Sequence, residues 1–103
     1  MLNQKEINTL QKLLTHNDER LPIIFNALGD PRRCKIFRSF LTSDRLCVSD
    51  IARIFKISMS LASQHLKILE ITGLLVREKE GRTVYFKANT HDELVRTIIK
   101  AVA

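Results

Sequence analysis

The chain has 103 residues, 45% apolar and 27% charged, with three glycines, two prolines, two cysteines and a net charge of +6. That fits one soluble domain with a modest core and is too poor in cysteine for a disulfide framework. No apolar run approaches the ~18 residues of a membrane span, and the opening "MLNQKEINTL" has no basic start followed by an apolar stretch, so no signal peptide and a cytoplasmic location are expected.

The elements follow in chain order. Ile7, Leu10 and Leu14, with Leu13 beside them, repeat at helical spacing and predict an amphipathic helix over about residues 3–15. After the polar break "THNDER", the stretch "LPIIFNALG" predicts a short second helix ending at Gly29. "GDPRRCKIFRSFL" opens a third, with Asp30 as N-cap and Pro31 in the first helical position. "LCVSDIARIFKIS" holds a short helix beginning within 47–50, capped by Cys47 or Ser49. Ser58 then caps a longer helix that carries Ala62, Leu66 and Leu69 on one face and stops at Gly73. The period next switches to that of strands, with β-prone runs at 74–79 and 83–88 around Glu80-Gly81-Arg82. Thr90, with Glu93 three residues on, predicts a capping box for a last helix. No repeat, linker or low-complexity segment divides the chain, so one domain over 1–103 is expected, mainly α with a small β-hairpin.

Charge is not spread evenly. Residues 1–29 and 88–103 are each balanced, so the whole excess lies in 30–87, with twelve bases against six acids. Basic charge confined to one region is the footprint of a polyanion partner; a solubilising surface is the alternative. A short helix and a longer one joined by a tight turn, about residues 47–73, form a helix-turn-helix, whose second helix enters the DNA major groove. The hairpin after it, about 74–88, makes a wing with a basic rim of Arg77, Lys79 and Arg82. Small hydroxyl side chains early on a recognition helix allow close approach to bases and phosphates. The candidate DNA-contacting residues are therefore Ser58, Ser60, Ser63, Gln64, His65, Lys67, Lys79 and Arg82. Among them Ser58 is also the cap, and His65 stands at the seam between the apolar and polar faces.

The segments "ALGDPRRCKIFRSF", "LCVSDIARIFKISMSLASQHLKILEITGLL" and "REKEGRTVYFKAN" resemble, in that order, the arsenic-repressor (ArsR/SmtB) family of winged helix-turn-helix transcription regulators. The resemblance covers about residues 25–90 in detail. It implies a homodimeric, sequence-specific DNA-binding regulator, a repressor reading a palindromic operator on double-stranded DNA. It also implies dimerisation through the first and last helices, about 3–15 and 90–103, with Ile7, Leu10, Leu14, Leu94, Val95, Ile98, Ile99 and Val102 at the interface.

The family's sensor sites match poorly. A Cys-Val-Cys metal motif is represented by Cys47-Val48-Ser49, lacking the second thiolate, although a soft-metal site wants three or four thiolate or imidazole ligands. A second family site uses Asp and His on the last helix; Asp92 is present but Leu94 occupies the His position. No cofactor, metal or small-molecule effector is therefore expected. A thiol-redox or metal response through Cys47 or Cys34 is the alternative, against core filling for Cys34 and capping or packing for Cys47. A winged helix serving only protein contacts is the alternative class. Enzyme activity is not expected, since no acid–base pair, activated nucleophile or glycine-rich phosphate loop stands out.

Overall fold

A computed structural model describes the backbone of residues 1–15 and 19–103 and the side chains of 1–12 and 19–103. The elements are α1 (Gln4–Thr15), α2 (Arg20–Leu28), α3 (Pro31–Ser39), β1 (Leu46–Cys47), α4 (Val48–Phe55), α5 (Met59–Ile71), β2 (Leu75–Glu80), β3 (Thr83–Ala88) and α6 (Glu93–Val102). No described helix is long and apolar enough to cross a membrane.

The local signals fix most helix ends. Asp30 accepts the Arg33 N–H at 3.0 Å and starts α3, with Pro31 in the first turn. Ser58 does the same for α5 through the Leu61 N–H, also at 3.0 Å. At the far end of α5, Gly73 takes φ +85°. The Gly73 N–H then bonds to the Glu70 carbonyl and the Leu74 N–H to the Leu69 carbonyl. This pair of bonds is the Schellman closure that glycine permits without a Cβ penalty. Of the two candidate caps for α4, Cys47 is the one used: its N–H donates to Asp50 Oδ2 at 2.9 Å.

The capping box expected at Thr90 does not form. Asp92 is the N-cap of α6, accepting from the Leu94 and Val95 N–H groups, and α6 begins at Glu93 rather than at 90. Asp92 is favoured because its carboxylate also holds the Arg20 guanidinium, with Arg20 Nη2 3.2 Å from Oδ1. This pairing keeps the Asp92 carboxyl below the usual carboxylate range. Asp92→Ala should cost about 1–2 kcal/mol, since cap and ion pair go together. In a urea titration Asp92→Asn, which retains a capping oxygen, should lose less.

The hairpin pairs Leu75 with Ala88 through Glu80 with Thr83, and Gly81, φ +61°, takes the first position of its two-residue turn. The strands also admit a third member. β1 pairs antiparallel with β3, Leu46 opposite Phe86 and Cys47 opposite Tyr85, giving the order β1-β3-β2. Two residues are too few to show a period, so nothing in the sequence marks this strand.

The core joins Ile24, Ile36, Phe37, Phe40, Ile51, Leu66, Leu69, Leu74, Leu75 and Phe86. Val95 and Ile98 belong to it as well, at 0% and 5% exposure. These two were expected at a dimer interface; within the protomer they are spent on its own core. Leu94, Ile99 and Val102 are only partly buried against that core. On α1, Ile7 is half-buried and Leu10 exposed, while the side chain of Leu14 lies outside the described residues. α2 adds two exposed apolar side chains, Ile23 and Phe25.

Candidate nucleic-acid interface

Between α4 and α5 the chain reverses in three residues. Lys56 adopts a left-handed conformation, φ +54°, and its N–H together with that of Ile57 closes on the Ala52 carbonyl. Such a sharp turn sets two helices at a fixed angle, as in helix-turn-helix units.

α5 then presents two faces. Ala62, Leu66 and Leu69 are fully buried, while Ser60, Ser63, Gln64 and Lys67 are exposed together with Ser58 and Met59. The Ser58 hydroxyl is already occupied by its cap bond. The amides of Met59 and Ser60 are left without intrahelical acceptors, as at every helix start. Hydroxyls, an amide, an ammonium and free N–H groups on one exposed surface can bind phosphate and read base edges. Met59 is not among the candidates read from the sequence; it is 54% exposed and sets an apolar side chain among the serines.

His65 does not belong to this surface. It is buried, and its Nδ1 has no hydrogen-bond partner among the described residues. Burial is the main cause that pushes its pKa down; Asp30 opposes this and Arg33 and Arg32 reinforce it. One residue of helical rotation separates a seam position from a core position, and here the packing of α5 on α3 takes His65 inward.

A testable consequence has a definite sign. The folded state disfavours the imidazolium, so the unfolded chain takes up the proton first. Stability should be unaffected by His65 above about pH 6.5 and fall as pH drops below that value. The depressed carboxylates Asp30, Asp50 and Asp92 act in a lower window, below 3.8. Urea titrations between pH 7.5 and 5 should show the decline in the wild type and not in His65→Leu.

At the wing, Lys79 and Arg82 are exposed and make no ion pair among the described residues, whereas Arg77 is not part of a free rim. Arg77 forms a bidentate pair with Glu70 at 2.6 and 3.0 Å, and its guanidinium lies 5.4 Å from the Phe86 ring centre. It ties the wing to the end of α5. Lys87 pairs with Glu78 at 3.5 Å. Arg45, from the segment before β1, pairs with Glu80 and stacks 4.0 Å from the centre of Tyr85. Nothing local in the sequence marks Arg45, because both partners are brought to it by the sheet. Arg33 likewise serves the fold, donating from Nε to the Ala27 carbonyl at 2.7 Å.

Cys34 and Cys47 are both free thiols and half-buried. Cys47 Sγ lies 3.2 Å from Asp50 Oδ2 and 3.1 Å from Ser49 Oγ. Among the described residues no three His, Cys, Asp or Glu side chains gather where they could hold a metal ion.

Known proteins are similar to this chain in sequence and in fold. The family model described as "Bacterial regulatory protein, arsR family" matches residues 30–76. A cadmium resistance transcriptional regulatory protein CadC homolog of Staphylococcus aureus is 32% identical over 100 residues, covering 96% of this chain and 81% of its own. The transcriptional repressor PagR of Bacillus anthracis superposes with a TM-score of 0.70 at 28% identity, covering 82% of this chain and 94% of its own. The Mycobacterium bovis domain Mb0332, a homodimeric winged helix-turn-helix DNA-binding domain, shares the fold with a TM-score of 0.69 at 22% identity, covering 99% of this chain and 84% of its own.

Proposed function

This chain belongs to the arsR family of bacterial regulatory proteins, and from that premise we propose that it is a cytoplasmic, homodimeric transcription repressor that binds a palindromic operator in double-stranded DNA. The observation that carries the reading is the division of α5, with Ala62, Leu66 and Leu69 buried and Ser60, Ser63, Gln64 and Lys67 exposed behind a capped start. α5 enters the major groove, its first turns reading base edges and phosphates. Lys79 and Arg82 of the wing reach the flanking backbone. The confinement of the +6 charge to residues 30–87 supports a polyanionic partner.

Two copies present two recognition helices, with half-sites about 10 bp or a multiple apart. The apolar side chains available to a second copy are Ile7 and Leu10 of α1 with Leu94, Ile99 and Val102 of α6, joined by Ile23 and Phe25 of α2. No metal or small-molecule effector is part of the proposal, since Cys47-Val48-Ser49 keeps one thiolate where a soft-metal site needs several. The proposed role is regulatory rather than catalytic.

Fluorescence-anisotropy titration against fragments of the chain's own promoter region, repeated in rising salt, tests this. The expected result is a rise in anisotropy on formation of a dimeric complex whose affinity falls linearly on a log–log plot against salt. Binding to no fragment, or a flat salt response, would sink it.

A further inference from the structure

Residues 70–88 contain three acids, Glu70, Glu78 and Glu80, and a base sits on each. Arg77 and Lys87 belong to the wing strands themselves. Arg45 does not: it precedes β1 and is brought to the wing by the pairing of β1 with β3. The strand register places Glu78 opposite Tyr85 and Glu80 opposite Thr83, so both acids and Tyr85 share one face of the sheet. On that face the Arg45 guanidinium lies over Tyr85, its Cζ 4.0 Å from the ring centre, while it holds the Glu80 carboxylate. Glu80 is the last residue before the turn, next to Lys79 and two residues from Arg82.

A carboxylate in that place opposes what the wing is for. A bare Glu80 beside Lys79 and Arg82 would repel the phosphates they are to meet. We propose that Arg45 is a positioning residue for DNA binding: stacked on Tyr85, it masks the Glu80 carboxylate and fixes the hairpin tip so that Lys79 and Arg82 face phosphate unopposed. The planar guanidinium suits the task, since it can stack on a ring and pair with a carboxylate at once, which an ammonium does less well. The assignment rests on the DNA-binding reading.

A double-mutant cycle with Arg45→Gln, Glu80→Gln and the pair together tests it. The probe is a duplex enriched by the wild-type chain from a random-sequence pool. Circular-dichroism melts accompany each variant, because a merely structural role would lower the melting temperature without coupling the two sites. Arg45→Gln should weaken binding about fivefold, the size of one ion pair with one cation–π contact. Glu80→Gln alone should change it by less than about twofold, because that charge is already masked, and the double variant should regain most of the loss. The signature is that Glu80 matters only when Arg45 is missing. Unchanged binding by Arg45→Gln overturns the assignment. So does equal tightening by Glu80→Gln in both backgrounds, which would mean that its charge faces DNA throughout. A double variant as weak as Arg45→Gln, with a salt slope shallower than the wild type's, would make Arg45 a direct phosphate ligand and also overturn it. If the wild-type chain enriches no duplex, the DNA-binding reading falls, and this assignment with it.

Discussion

Phe37→Ala should lower folding stability by about 3–5 kcal/mol, the cost of emptying a buried aromatic site. Phe37 has no exposed surface and is the largest of the fully buried side chains. It belongs to the same buried core cluster as Ile24, Ile51, Leu66 and Leu69. A domain of this length commands about 5–10 kcal/mol in all. The variant should therefore be partly unfolded at physiological temperature and show a much reduced urea midpoint. Ile71→Ala is the control. Ile71 is 73% exposed, so its truncation should change stability by no more than about 0.5 kcal/mol. Equal midpoints for the two variants would mean that the core is not where the burial places it.

The second large effect is on DNA. Lys67→Ala with Arg82→Ala removes one cation from the exposed face of α5 and one from the turn of the wing, both outside any ion pair among the described residues. If each meets a phosphate in each of two protomers, four contacts disappear, and the log–log salt slope should become shallower by about 3–4. Affinity at low salt should fall at least a hundredfold, about 0.7 kcal/mol per contact. The melting temperature should stay within a few degrees, because neither side chain packs on the core. Binding reduced less than severalfold, or a loss accompanied by unfolding, would show that the DNA surface lies elsewhere.

Some of this surface was legible in the sequence. The spacing of Ala62, Leu66 and Leu69 marks the buried face of α5, and Ser60, Ser63, Gln64 and Lys67 fall opposite by simple helical geometry. Asp30-Pro31, Ser58 and Gly73 are local chemical signals, and each works over three or four residues, so each was readable in place. The hairpin was equally clear from the change of period and the glycine between the two runs.

Other features were not readable because their causes are distant in the chain. His65 sits one helical step from the apolar stripe, and only the packing of α5 decides that it turns inward. Asp92 outcompetes Thr90 as a cap with the help of Arg20, 72 residues earlier. Arg45 and Arg77 look like free cations until the sheet and the end of α5 bring Glu80, Tyr85 and Glu70 to them. Val95 and Ile98 carry a periodicity that fits a partner's surface as well as the chain's own core; burial in the protomer selects the core. The sequence by itself determined most helix ends, the hairpin and the two faces of α5 apart from His65, because these depend on hydrogen bonds and periodicities a few residues long. The tertiary structure alone decided which cations remain free and which apolar faces are already spent, because a charge or a methyl group acquires its partner only when remote segments meet.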